Sequence, residues 1–135
     1  MHRLPSALRD GEIDAGLHPA TGGDGSLACS ADMMLEALVA CASVTVSAVA
    51  TAMGVKLRGG RVVAQGQWDA RGTLGGDREA PVGLTDIALT LELDTDADAA
   101  TVRRLVEMSE RFCVIYQTLR APPRLTVTHR TAAGV

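Results

Sequence analysis

Three cysteines are the side chains in this 135-residue sequence best suited to covalent chemistry, and they stand far apart at Cys29, Cys41 and Cys113. A thiolate is both a nucleophile and a metal ligand, so the set points either to thiol chemistry or to a metal site. The odd number, and an N-terminus without the apolar segment typical of signal peptides, favour the cytoplasm. Thiols stay reduced in that compartment, where a lasting disulfide is more often catalytic or redox-sensing than structural.

Metal binding fits the spacing poorly. The cysteines and the three histidines contain no CxxC or HxxxH pair, the spacings typical of zinc sites. Asp94, Asp96 and Asp98 imitate the start of a calcium-binding loop. However, Ala99 stands where such a loop needs glycine, and Leu105 stands where it needs glutamate. We therefore expect no metal, and we assign these aspartates to the capping of a helix.

Nucleotide, nucleic-acid and serine-hydrolase functions are also disfavoured. The glycine-rich stretches at 22–25 and 72–76 lack the preceding strand and the following lysine of phosphate-binding loops. No serine lies in a GxSxG motif. A net charge of −3 and only three aromatic residues provide no basic, stacking surface for nucleic acid. We expect no organic cofactor and no nucleic-acid partner.

The element that must hold Cys41 is a long apolar stretch, residues 30–53, which is far too long for a strand and rich in helix-forming alanine and leucine. Ser30 is the predicted N-cap and Gly54 the glycine that ends the helix. Such a helix is apolar on nearly every side and must be surrounded by protein or lipid. Glu36 and several hydroxyl residues interrupt the stretch, and no basic cluster flanks it. We therefore expect burial in a soluble fold, shared with a second subunit, and not a membrane span.

Strands are predicted on both sides of this helix. Residues 1–25 suggest short edge strands and loops. Residues 62–68 suggest a strand with a bend near Gly66. Residues 84–93 alternate apolar and polar side chains, with one face of the strand in the core. Together with the helices, these strands predict an α+β fold in a single domain spanning residues 1–135.

The C-terminal third is predicted to contain an amphipathic helix and a last strand. The helix, within residues 94–112, should bury one apolar side, consisting of Val102, Leu105, Val106 and Phe112. Pro122 and Pro123 end any helical structure, and the alternating sequence RLTVTHR that follows predicts a strand with Leu125 and Val127 facing inward.

The residues alone leave the role of the cysteines open. Without further evidence, Cys41 is explained as a small apolar side chain buried in an alanine-rich helix, which is the common fate of a free cysteine. Since it lies in mid-helix, the helix dipole cannot activate it, and a low pKa would require a cation from another segment. Cys113 starts the short helical segment CVIYQTL, where free amide groups stabilise a thiolate, and Arg111 stands two residues before it. These features favour a reactive thiol at Cys113.

The helix sequence LEALVACASVTVSAVATAMG, followed later by ERFCVIYQTL, resembles the osmotically inducible protein C and organic hydroperoxide resistance family (OsmC/Ohr). The resemblance implies an intertwined α+β homodimer, with two central helices packed against antiparallel sheets and active sites at the subunit interface. It also implies that Cys41 is the peroxidatic cysteine, which attacks an organic hydroperoxide, and that Cys113 resolves the product as a disulfide. An external dithiol would then be the reductant.

The sequence departs from the family pattern at two positions. Ala31 stands where the family's peroxidases carry a glutamate that fixes an activating arginine, and no arginine lies between Arg9 and Cys41. Val114 stands where proline is usual. Two function classes therefore remain. The first is a thiol peroxidase. The second is a family member without appreciable turnover, which binds a small apolar ligand or acts as a redox-responsive partner protein.

Overall fold

The structure is a computed structural model that describes residues 2–5 and 12–132. It has the predicted α+β composition, with helices and antiparallel strands. The elements, in chain order, are β1 (His2–Pro5), β2 (Glu12–Ala15), a 3-10 turn (Pro19–Thr21), α1 (Ser30–Met53), β3 (Gly59–Trp68), α2 (Ala70–Thr73), β4 (Leu84–Asp94), α3 (Ala99–Phe112) and α4 (Val114–Arg120). The predicted short strands near the N-terminus are present as β1 and β2, and residues 6–11 lie outside the described part of the chain.

Helix α1 has the predicted length, but its N-cap is Cys29 and not Ser30. Cys29 has an extended backbone, with φ −82° and ψ 158°, and its sulfur accepts a hydrogen bond from the Asp32 amide at 3.5 Å. A side chain that reaches an amide three residues on is the contact that starts a helix, so Ser30 is already its first residue. At the other end Gly54 adopts the left-handed conformation, with φ 70°, as predicted.

Strands β3 and β4 pair along their whole length and provide the sheet beneath α1. Val62 lies opposite Leu91, and Ala64 lies opposite Leu89. The register shifts between Gln67 and Trp68, next to the predicted bend. Alternate residues of β4 are half-buried, and the residues between them are exposed, as its alternating sequence predicts. One face of this two-stranded sheet therefore carries the core.

The core joins α1 to the sheet and to the two C-terminal helices. Val46 and Ala50 of α1 pack around Leu105 of α3, whose side chain is fully buried. Nearer the start of α1, Leu38 and Ala42 pack against Cys113, the single residue between α3 and α4. The two clusters hold α3 and α4 against α1, and the second one includes two of the candidate functional residues.

The inward face predicted for the amphipathic helix is correct except at its last residue. Leu105 is buried and Val102 and Val106 are half-buried, but Phe112 is 58% exposed. The helical period places Phe112 on the same side as Leu105. However, α3 ends at Phe112, and the ring contacts the guanidinium group of Arg111, 5.6 Å from its centroid.

The predicted C-terminal strand is not formed in this single chain. Residues 121–131 have neither helix nor strand assignment, and Leu125 and Val127 are 83% and 94% exposed. A strand needs a neighbour whose N–H and C=O groups pair with its own. Both sheets in the described residues contain only two strands, and neither sheet includes this segment.

Helix α1 leaves much of its apolar surface uncovered. Its most apolar 18-residue window is only 28% buried, and Val44 is 67% exposed on the side away from the sheet. Ala37, Ala40 and Ala48 are exposed on the same side. By length and composition alone this helix would be able to cross a membrane. A single chain therefore does not provide the full covering expected for such a helix.

Candidate functional site

The fold brings together Cys41 and Cys113, which are 72 positions apart in the sequence. Cys113 is buried against Leu38 and Ala42, and the side chain of Cys41 packs against this cluster. Each thiol also shifts the pKa of the other, as expected for side chains that lie near each other. Both cysteines are free thiols in this structure. A pair of adjacent thiols on two different elements is suited to form a reversible disulfide.

The corner between α3 and α4 fixes the position of Cys113. This residue is both the C-cap of α3 and the N-cap of α4, with φ −77° and ψ 108°. Its amide donates to the Ser109 carbonyl at 3.0 Å, and its carbonyl accepts from the Gln117 amide at 3.0 Å. In addition, the Gln117 side-chain amide donates to the Glu110 carbonyl at 2.8 Å, which links the two helices directly. The first turn of α4 is thereby held beside Cys41.

The environment of Cys41 lowers its pKa from the ordinary value of a thiol. Burial has the largest single effect and raises the pKa. It is outweighed by hydrogen bonds to the sulfur from the Ile115 amide, the Cys113 side chain, the Thr45 hydroxyl and the Val114 amide. Thr45 lies one helical turn after Cys41, with 4.0 Å between its oxygen and the sulfur. Cys41 is therefore the thiol that ionises more readily.

Cys113 has the opposite shift. Burial, its largest influence, raises the pKa, and the side chain of Cys41 raises it further. The amides of Tyr116 and Ile115 lower it, but not enough to offset burial. The expectation that Cys113 would be the activated thiol is therefore wrong. The first turn of α4 also places amide groups near Cys41, so the influences that lower the Cys41 pKa are hydrogen bonds and not the cation that its mid-helix position seemed to require.

Cys29 serves the start of α1. It is 8% exposed, and its thiol donates to the Asp32 carboxylate at 3.2 Å while its sulfur accepts the Asp32 amide. Both contacts are local to the first turn of the helix, and Cys29 belongs to neither of the two core clusters. The contacts of Cys29 therefore indicate that it caps helix α1.

The loop before α1 brings His18 to Trp68. The two ring centroids are 5.2 Å apart in an edge-to-face arrangement, and Nδ1 of His18 accepts the Ala20 amide at 3.1 Å. These contacts are structural.

Ala31 is half-buried in the first turn of α1, and its methyl group provides no carboxylate to hold an arginine.

A cavity of about 470 Å³ lies between β4 and the helices α3 and α4. Most of its lining is apolar, and Glu110 and Arg120 are among its polar residues. A much smaller pocket of about 10 Å³, with room for no more than a water molecule, shares part of this lining and touches Cys113. The apolar part of the cavity lining includes Leu38, Leu84, Ile87, Leu89, Tyr116 and Leu119.

The sequence did not reveal this cavity because distant elements contribute its walls. It also did not reveal the two α4 amides near Cys41. Every residue except proline has a backbone amide, and the sequence does not show which amides lie next to the thiol. Thr45 was detectable in principle. It stands four residues after Cys41, the spacing that places two side chains on the same side of a helix.

Comparison with known proteins now identifies the class. The sequence matches the family described as OsmC-like protein over residues 23–128, so the chain belongs to that family. The resemblance inferred from the two cysteine motifs is confirmed. A search among curated proteins found no match.

Solved structures agree on the fold. An organic hydroperoxide resistance protein OsmC from Legionella pneumophila superimposes with a TM-score of 0.70 at 16% identity, covering 88% of this chain and 81% of that one. An OsmC-like protein from Mycoplasma pneumoniae gives 0.68 at 18% identity, with 89% and 79% covered. A Vibrio cholerae protein described as a putative organic hydroperoxide resistance protein, with captopril bound in one of its active sites, gives 0.62 at 19% identity, with 89% and 77% covered. At these identities the likeness establishes the fold alone.

Proposed function

We propose that this protein reduces organic hydroperoxides by a two-cysteine mechanism, with Cys41 as the peroxidatic thiol and Cys113 as the resolving thiol. The observation that carries the proposal is that Cys41 packs against the core cluster that contains Cys113, together with the opposite shifts of the two pKa values. The attacking thiol must be a thiolate, which a lowered pKa favours, whereas the resolving thiol has only to lie next to the oxidised sulfur. The names of the Legionella and Vibrio structures support hydroperoxides as the substrate class.

The first chemical step oxidises Cys41. Its thiolate attacks one oxygen of the hydroperoxide ROOH, the O–O bond breaks, and the alkoxide that leaves takes a proton to become the alcohol ROH. The sulfur retains the other oxygen as a sulfenic acid. Amides of α4 and the Thr45 hydroxyl hold the thiolate in place for this attack.

The second step joins the two cysteines. The Cys113 sulfur attacks the sulfenic sulfur, forms the disulfide, and expels hydroxide, which leaves as water with the Cys113 proton. An external dithiol then reduces the disulfide. No metal and no organic cofactor enters this cycle, and the reduced resting state suits a cytoplasmic protein.

We further propose that the working unit is a homodimer. A second copy would cover the exposed side of α1 around Val44, which a soluble protein does not leave open to water. The segment at 124–130, which has an alternating sequence and exposed Leu125 and Val127 side chains, is suited to pair with a strand of the partner. Cys41 lies beside this uncovered surface, because the exposed Ala37 and Val44 lie one turn before it and one turn after it on the helix. The partner would thus shield the reacting thiol from water.

A second function remains supported by a specific observation. Ala31 removes the carboxylate that the family's peroxidases use, and the apolar cavity has a volume suited to a small molecule. A protein that binds an apolar ligand without appreciable turnover would share both features. The two proposals differ in what an organic hydroperoxide does to the thiols.

Replacing Cys113 with serine separates the two proposals. With a dithiol present, we expect the native protein to consume an organic hydroperoxide continuously, and Cys113→Ser to lose its activity over successive turnovers. Without the resolving thiol, the Cys41 sulfenic acid has no thiol partner within the chain, and a second hydroperoxide molecule oxidises part of it to the sulfinic acid before the dithiol can reduce it. Mass spectrometry of the intact protein would follow the added oxygen atoms.

Cys29→Ser is the matched control, since it removes a buried thiol outside the pair. It should keep steady turnover. A native protein that consumes no hydroperoxide, with thiols that stay reduced, would favour the ligand-binding proposal instead.

A further inference from the structure

The cavity of about 470 Å³ between β4 and the helices α3 and α4 is separate from the reacting thiols, since neither Cys41 nor Cys113 lines it. We propose that this cavity binds a small cationic amphiphile, a molecule with an apolar body and one ammonium group, and that the Glu110 carboxylate holds the ammonium group. The proposal goes beyond the peroxidase function and does not depend on it. It gives a ligand class to the second function considered above.

The walls of the cavity determine the apolar part of the ligand. Helices α3 and α4 contribute Val106 and Leu119, and α1 contributes Leu38, which is only 1% exposed. The cavity therefore reaches down to the core. Strand β4 forms the opposite wall with a row of half-buried side chains, Leu84, Ile87, Leu89 and Leu91. Small-molecule sites have volumes of roughly 300–1,000 Å³ and mainly apolar walls, and this cavity has both properties.

The charged residues of the cavity determine the sign of the ligand's charge. Among the described residues that line it, Asp86 and Glu110 are acidic and Arg120 is basic, two carboxylates against one guanidinium group. Asp86 and Arg120 are exposed, whereas Glu110 is half-buried. Water screens a charge less when the charge is partly buried, so Glu110 should interact with a ligand more strongly than Arg120 does. The cavity therefore favours a cation.

Glu110 is held in position while its carboxylate stays available. Its backbone carbonyl accepts the side-chain amide of Gln117 at 2.8 Å, which fixes the residue at the corner between α3 and α4. The ion pairs among the described residues belong to Arg58 and Arg71, and none of them includes Glu110. An ammonium group would give this carboxylate the charge-assisted hydrogen bonds that it does not receive within the described part of the chain.

The dimer contact proposed around Val44 lies away from this cavity. Leu38 and Val44 are six residues apart on α1. At about 100° per residue, their side chains point about 120° apart around the helix. A partner that packs on the Val44 side would therefore not occupy the space next to Leu38. The partner's segment 124–130 is the alternative occupant, and it would exclude a small ligand.

Three probes with the same octyl chain test the proposed ligand class. Octylamine is a cation at neutral pH, octanol is neutral and octanoate is an anion, and isothermal titration calorimetry measures their binding to the full-length reduced protein. We expect octylamine to bind about tenfold more tightly than octanol, because it forms a hydrogen bond to a charged group, and octanoate to bind most weakly. The proposal is wrong if octylamine binds no more tightly than octanol, if octanoate binds most tightly, or if no probe binds because the cavity is already filled.

Removing the charge of Glu110 tests its role. Glu110→Gln should weaken octylamine binding about tenfold, because the amide keeps the shape of the side chain and loses its charge. Its binding of octanol should stay near native. Glu107→Gln is the matched control, since Glu107 is an exposed glutamate of the same helix that does not line the cavity. Equal loss of octylamine binding in the two variants would mean that the overall charge of the protein attracts the amine, and would overturn the proposal.

Narrowing the cavity tests its location. Val106 lines the cavity, and Val102 lies one turn earlier on α3, is half-buried like Val106, and does not line it. We expect Val106→Phe to weaken octylamine and octanol alike by ~tenfold, since one misfitted group in an apolar pocket changes affinity by roughly 10- to 200-fold. Val102→Phe should bind both probes as native does. Unchanged binding in Val106→Phe would place the ligand elsewhere and contradict the proposal. If the native protein consumes no hydroperoxide, the peroxidase function fails, while these titrations still decide the ligand site.

Discussion

Hydroperoxide consumption is expected to fall by at least ~10³-fold when Cys41 is replaced by serine, because losing the nucleophile of a covalent mechanism removes most of its catalysis. A serine hydroxyl is almost fully protonated near neutral pH and cannot replace a thiolate as nucleophile. Stopped-flow mixing of the reduced protein with one equivalent of an organic hydroperoxide measures the rate directly. Cys29→Ser, which leaves the thiol pair intact, should react within about twofold of native.

The same experiment has an expected pH dependence. The pKa of Cys41 is lowered from the ordinary thiol value of 9.0, so the reactive thiolate should form below that value. The oxidation rate should therefore rise with pH and level off with a midpoint below that value. Thr45→Val should move the midpoint upward, since it removes one hydrogen bond to the sulfur. A native midpoint above 9 would contradict the proposed activation.

Replacing Val44 with aspartate should dissociate the proposed dimer. Val44 is 67% exposed in one chain, and in a dimer it would lie in the centre of the apolar contact between the two α1 helices. Burying an unpaired charge there would cost roughly 3–5 kcal/mol, which weakens the dimer by more than ~100-fold. Analytical ultracentrifugation at micromolar concentration should find native dimers and Val44→Asp monomers, or a chain that no longer folds.

Val82→Asp is the matched control, since Val82 is also an exposed valine, 65% accessible, but lies in the turn before β4. It should remain dimeric. A native protein that sediments as a stable monomer would contradict the dimer, and so would a Val44→Asp variant that dimerises as tightly as native.

Local patterns in the sequence were enough to predict most of the elements. Helix α1 and strand β4 carry long, unbroken patterns, a continuous apolar run in one case and strict alternation in the other, and both have the predicted extent within a residue or so. Their ends depend on single side chains, which explains the error at the start of α1. A cysteine is a less usual N-cap than serine, yet it is Cys29 that reaches the Asp32 amide.

Errors arose where the outcome depends on a partner element. Residues 124–130 alternate as a strand should, but alternation does not supply the neighbouring strand with which to pair. Phe112 fits an inward helical face, but the face ends where the chain turns at Cys113. Periodicity describes one element at a time and contains no information about what lies opposite.

The candidate site was predictable in its residues and not in its electrostatics. The two cysteine motifs identified the pair, and the fold brings the pair together. The family resemblance implied that Cys41 is the reacting thiol, but the argument from the residues alone favoured Cys113, because it considered only the helix that begins there. In the folded chain the amides of Val114 and Ile115 also reach Cys41 from α4, and burial dominates at Cys113. Contacts between elements decide which thiol ionises.

The most direct test of the two-cysteine account is to map the disulfide formed by one equivalent of an organic hydroperoxide. The reduced protein is oxidised, the remaining thiols are alkylated, and the peptides are analysed without reduction. The account predicts one dominant disulfide within the chain, between Cys41 and Cys113, with Cys29 alkylated. A dominant disulfide that contains Cys29, or complete alkylation of Cys41 and Cys113 after the hydroperoxide has been consumed, would contradict it.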